Sequence, residues 1–177
     1  MSVTKLKIRT FGDPCLRLKS VLVKEVGPAE RMLIAALIET MHEHKGIGLA
    51  APQVGINQQI LVADTGDGPI VVINPKIIKK SGSGILEEGC LSLPGVTVEV
   101  RRPQKIFVTY IDENNRKVES TYEDLMARII QHETDHLNGK LIIDYLSFAR
   151  RRKIEKQLKE GTLEPKKKTA DDKNPRR

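Results

Sequence analysis

The sequence predicts an α+β fold: mixed and antiparallel strands around one central helix, with a further helix near the C-terminal end. Three observations carry this. Residues 58–122 alternate apolar and polar side chains, and their connections are too short to hold helical crossovers. Residues 123–138 place apolar side chains and two histidines at helical spacing. Residues 147–160 form an Arg- and Lys-rich helical stretch. A chain of 177 residues fits one domain and is long enough to bury a real core.

Taken in order, the alternation Val3-Thr4-Lys5-Leu6-Lys7-Ile8 reads as a first strand. Residues 28–44 read as a helix with Met32, Leu33, Ala36, Leu37, Thr40 and Met41 at helical spacing, stopped by Gly46. Ile60–Ala63 and Ile70–Ile73 flank an Asp67-Gly68 turn. Val96, Val98 and Val100 alternate with polar residues, as do Ile106, Val108 and Tyr110 before the turn at Asp112–Asn115. The central helix should end at Asn138-Gly139. The expected organisation is a body over 1–147, a basic helix over 148–160 and a disordered basic tail over 161–177, which is rich in Pro, Lys and Asp.

The net charge of +7 is unevenly placed. Residues 1–146 hold 18 Lys+Arg against 18 Asp+Glu, whereas residues 147–177 hold 12 against 5. The basic end is either a solvated face or a docking surface for RNA or lipid headgroups. With no Trp and 3% aromatic residues, stacking platforms for single-stranded nucleic acid are not expected. No apolar run approaches the roughly 20 residues that span a bilayer. The N-terminal segment has no apolar signal core. Cys15 and Cys90 alone make no disulfide framework, so a reduced cytoplasmic setting is expected.

Chemistry concentrates in His132-Glu133-Thr134-Asp135-His136. Histidines four residues apart share a helix face and can reach one metal ion, and Glu133, about 100° round the helix, can take a proton from a water that the ion activates. Leu125, Ile129, His132 and His136 form one stripe, so an apolar wall leads to the ion, as suits a pocket for an apolar side chain. The bland reading is a core stripe with satisfied histidines; a chance H-E-x-x-H in a chain with four His is rare enough to disfavour it.

A catalytic site needs a third protein ligand and an open position. Cys90, in Glu87-Glu88-Gly89-Cys90-Leu91-Ser92, stands out, although a lone Cys is more often a small buried hydrophobe. Cys15 reads as that, and His42 and His44 read as surface residues. The run Gly46–Gly55 suggests backbone open to an extended ligand but lacks the G-K-[ST] of a phosphate cradle. Gln53 at its end can donate to a developing oxyanion. Two alternatives stay open. A zinc metalloprotease shares H-E-x-x-H but takes its third ligand downstream, where Asp144, Glu155, Glu160 and Glu164 are the nearest carboxylates and no His follows. An RNA-binding module with a structural metal needs a fourth ligand from Cys15, His42 or His44.

Together the motifs Gly46–Gln53 (G-x-G-x-A-A-x-Q), Glu88–Ser92 (E-G-C-x-S) and His132–His136 (H-E-x-D-H) resemble the peptide deformylase family, which removes the N-formyl group from new proteins. Similarity continues through Gly12-Asp13-Pro14, Ile73-Asn74-Pro75, Ser92–Gly95, Arg102-Pro103 and Leu137–Leu141, covering roughly residues 5–147. The resemblance implies Cys90, His132 and His136 as metal ligands and Glu133 as general acid/base. Gln53 and the Leu91 N–H then polarise the formyl oxygen. It implies Fe²⁺, with Zn²⁺, Ni²⁺ or Co²⁺ able to substitute; the donor set alone would have suggested zinc. The substrate methionine would enter a pocket of Ile47, Leu86, Leu125, Ile129 and the His132 ring. Its peptide would lie by strand addition along Gly46–Gly48 and Gly89. N-formyl-methionyl peptides are the implied partners, with ribosome contact through the basic 150–160 segment, no membrane contact and a monomeric state.

Overall fold

A computed structural model describes residues 6–163. Among the described residues the chain begins without a strand: residues 6–10 join no sheet and are tied instead by the Arg9 N–H to Gln53 O at 2.7 Å and the Phe11 N–H to Ser92 O at 2.9 Å. The described part of the expected first strand is therefore an anchored arm; residues 1–5 lie outside the described residues, as does the tail from 164 onward.

Helix α1 spans Pro28–Glu43 and buries Ile34, Ala36, Leu37, Thr40 and Met41. Met32, read from the sequence as part of that face, is 74% exposed. Nine residues at about 100° each put it half a turn round the helix from Met41. The terminator is also one residue earlier than expected. Lys45 takes the left-handed φ of 54°, its N–H reaching His42 O, while the Gly46 N–H reaches back to Met41 O at 2.9 Å. This is a Schellman ending with lysine in the left-handed position and glycine just after it.

A five-stranded antiparallel sheet follows, in the order β1 (Gly48–Ala50), β2 (Ile60–Ala63), β3 (Ile70–Ser81), β6 (Lys105–Ile111), β7 (Lys117–Glu123). The continuous apolar run of β2 is buried throughout because helices cover both faces of the sheet. Ile60, Val62, Val71 and Ile73 pack towards α1; Leu61, Val72, Ile106 and Val108 pack with Ala127, Ile130 and Leu137 of helix α2 (Asp124–Leu137). Strands β4 (Gly84–Gly89) and β5 (Thr97–Arg102) form a separate antiparallel hairpin.

The hairpin's inner face, Val98 and Val100, joins Leu16, Leu93 and Leu141–Ile143 in a third apolar cluster. Helix α3 (Phe148–Glu160) lays Ile154 and Leu158 against that cluster and ends at Gly161 with φ 64°. Two edges thus face one another across a cleft: β1, the edge of the sheet, and β4, the edge of the hairpin.

Candidate metal centre

His132 and His136 project from successive turns of α2, with ring centroids 5.0 Å apart and Nε2 atoms 3.2 Å apart. Cys90, immediately after β4, brings its Sγ to 3.2 Å from His136 Nε2. All three donor atoms fall within 4.8 Å of one another. Three convergent donors of these types suit a borderline-soft divalent ion.

Two further features fit the same reading. Glu133 Oε2 is buried and has no hydrogen-bond partner among the described residues, which is costly unless something else meets it. Gly48 is required at the mouth: a Cβ there would stand 2.5 Å from Glu133 Oε1 and 2.6 Å from Ile129 Cγ2.

A carboxylate orients the first histidine. His132 Nδ1 lies 3.0 Å from Glu88 Oε2; with the proton assigned to Nδ1 as donor, Nε2 is left with its lone pair towards the ligand cluster. Glu88 is itself gripped by Arg102, whose Nε and Nη2 donate to its two oxygens at 2.7 and 3.0 Å, and by Arg128 Nη1 at 2.7 Å. Arg102 Nη1 continues to Asp135 at 2.9 Å and Tyr145 Oη at 3.1 Å.

Burial alone would raise the Glu88 carboxyl. The hydrogen bonds from His132 and Arg102 outweigh it and hold the group down at about 2. Burial pulls His136 well below the usual imidazole range, towards the neutral ligand form. For His132 burial acts the same way, but hydrogen bonds to Cys90 and Glu88 and the nearby negative charge of Glu133 reverse the direction. Burial pushes Glu133 up to about 7; a cation beside it would pull it back down.

The other residues singled out from sequence gather on one cleft of about 810 Å³. Gly46, Ile47, Gly48, Gln53, Leu86, Gly89, Cys90, Leu91, Leu125, Ile129, His132 and Glu133 all line it. His136 sits behind that surface, 2% exposed. Ile47, Leu86 and Leu125 are half-exposed apolar side chains, while Ile129 is buried below them. The Ala50 N–H donates to Gln53 Oε1 at 2.8 Å, which fixes the amide so that Nε2 faces Ser92 Oγ at 3.3 Å and Cys90 Sγ at 3.6 Å. Cys15, His42 and His44 are not in the donor cluster: they are bonded to Pro52 O, Asp64 and Thr40 O, and His44 lines the same cleft as the cluster. No fourth protein ligand joins the cluster among the described residues.

Sequence reasoning did not single out Glu88, Arg102, Arg128, Asp135 or Tyr145 as site residues. Arg102 carried a usable signal. It stands in phase with Val98 and Val100 on the inward face of β5, and a charge at a core position requires a buried partner.

The family model described as polypeptide deformylase matches residues 5–152. The chain belongs to this family. A peptide deformylase of Thermotoga neapolitana is 46% identical over 153 residues, covering 86% of this chain and 93% of the relative. One from Chlorobaculum parvum is 44% identical, covering 86% of each. Among solved structures, the peptide deformylase from Ehrlichia chaffeensis in complex with actinonin superposes with a TM-score of 0.86 at 39% identity, covering 89% of this chain and 98% of that one. The Thermotoga maritima deformylase gives 0.79 at 46%, covering 81% and 99%. No described helix of this deformylase-family chain is long and apolar enough to cross a membrane.

Proposed function

We propose that this chain removes the N-terminal formyl group from formyl-methionyl polypeptides, releasing formate and a free amine. One observation carries the reading beyond family membership: an unpartnered, buried Glu133 carboxylate oxygen stands beside three convergent metal donors in an apolar cleft between two strand edges.

In this reading Cys90, His132 and His136 hold a divalent ion, Fe²⁺, with Zn²⁺, Ni²⁺ or Co²⁺ able to replace it. The ion supplies Lewis acidity that brings the pKa of a water towards neutrality. Glu133 accepts the water's proton at Oε2 as the C–O bond forms on the formyl carbon. It then returns that proton to the amine as the C–N bond breaks. Gln53 Nε2 and the Leu91 N–H donate to the oxygen on which charge develops. Ile47, Leu86, Leu125 and Ile129 receive the methionine side chain, and the exposed backbone of Gly46–Gly48 and Gly89 grips the following residues as an added strand. A grip through backbone tolerates varied downstream sequence.

Residues 1–147 act as the catalytic unit and 148–160 as a docking helix, whose exposed Arg150, Arg152, Lys153, Lys156 and Lys159 suit the phosphate surface of a ribosome. The enzyme works as a cytoplasmic monomer. The deciding assay is formate release from an N-formyl-Met peptide by protein loaded anaerobically with Fe²⁺. Cleavage of internal peptide bonds with no formate would overturn the reading in favour of a protease.

A further inference from the structure

We infer that Arg128 is a positioning residue that sets the separation of the two cleft walls and, through it, selectivity for the side chain that enters; this rests on the deformylation reading above. One wall is α2, with Leu125, Ile129 and His132; the other is the hairpin edge, with Leu86 and Gly89. The hairpin shares no ladder with the main sheet, so backbone pairing does not fix its distance from α2.

Arg128 spans that gap. Its Nη2 donates to Gly84 O at 2.9 Å, and its Nη1 donates to Val100 O at 2.9 Å and Glu88 Oε1 at 2.7 Å. In the hairpin register Val100 lies directly opposite Leu86, with Gly84 two residues before Leu86 and Glu88 two after. The acceptors therefore surround the strand position that presents Leu86 to the cleft. The Arg128 side chain is only 11% exposed and lies one turn from both Leu125 and His132 on α2. A planar fork can meet several acceptors in fixed directions, which an ammonium cannot.

The role differs from that of Arg102. Arg102 holds both Glu88 oxygens, and His132 uses Oε2, the oxygen Arg128 does not touch. Losing Arg128 thus leaves the His132–Glu88 and Arg102–Asp135 links at one end of the hairpin in place and releases its Gly84 and Val100 end, next to Leu86.

The test compares iron-loaded wild type, Arg128→Leu and Arg128→Lys on N-formyl-Met-Ala-Ser and N-formyl-Ala-Ala-Ser. For Arg128→Leu we expect KM for the Met peptide to rise about tenfold with kcat changed less than about threefold, and bound iron to be unchanged. The kcat/KM preference for Met over Ala should fall about fivefold or more. Arg128→Lys should lie between, and it alone decides by the same criteria if Arg128→Leu does not fold. KM and preference within about twofold of wild type would overturn the inference. So would loss of iron together with kcat, which would place the residue with the metal ligands. A wild type that releases no formate takes down the deformylation reading and this inference with it. Active wild type with unaltered variants takes down only the inference.

Discussion

Glu133 and Gly48 show how tightly single atoms are matched at this centre. The carboxylate is buried against Ile129 and the glycine backbone, with one oxygen close to where any Gly48 side chain would begin. Such burial is unfavourable for an ionised carboxylate, and it suits the proton-carrying role proposed above for Glu133. Glu133→Gln conserves the shape and removes the proton acceptor. It should retain stoichiometric metal, measured by elemental analysis, while formate release falls by about 10²–10⁴-fold. Loss of metal in that variant would mean that Glu133 is a ligand. His132, Glu133 and His136 were legible as a chemical unit from spacing alone. The unpartnered state of Oε2 was not, because it depends on what the hairpin and β1 do not place beside it.

At the scale of elements, α1 and the hairpin make opposite points. The apolar spacing of α1 found the helix but enlarged its buried face, because several apolar residues in a row make more than one stripe plausible. Met41 is fully buried and Met32 mostly exposed, although each has an apolar residue four positions away, Leu37 and Ala36 respectively. Met41→Ala should cost about 2–5 kcal/mol in denaturant unfolding. Met32→Ala should stay within about 0.5 kcal/mol of wild type. Equal effects would contradict the observed face. The hairpin was only half legible. Val98 and Val100 announced β5, whereas β4, of the same length, is glycine-flanked and exposed along Ile85 and Leu86, so it lacks an alternating pattern.

Across the whole molecule, one buried ion network joins parts that the apolar clusters leave separate. Glu88 from the hairpin meets His132 and Arg128 from α2 and Arg102 from β5, and Arg102 reaches on to Asp135 and Tyr145. Removing one partner of such a network leaves a buried charge uncompensated. Because the Glu88 carboxyl is held at about 2 in the folded protein, against 4.5 ordinarily, its contribution is complete above about pH 4.5. That contribution is lost as pH falls through the window from 4.5 to about 2, and its size is about 3 kcal/mol. Urea unfolding of chelator-treated protein should show stability falling through this window, and Glu88→Gln should flatten the dependence there. An unchanged slope in that variant would remove Glu88 from the acid transition.

Sequence by itself determined the ingredients of this protein: an α+β body, two histidines on one helix face, a cysteine between a strand and a turn, and family membership through three ordered motifs. These features are local, set by periods of 3.6 and 2 and by short spacings, so a linear chain displays them. The sequence offered Cys90 as a third ligand, but only the tertiary structure decided that its Sγ, 42 residues before His132 in the chain, comes within 4.8 Å of the two histidine donors. It also decided that Glu88 turns His132, and that Arg128 spans the cleft walls. Those outcomes depend on how a detached hairpin docks against α2, and docking is governed by buried charges and directional hydrogen bonds between distant segments; a charge in phase with a core face, as at Arg102, signals that a buried partner exists but not which residue it is.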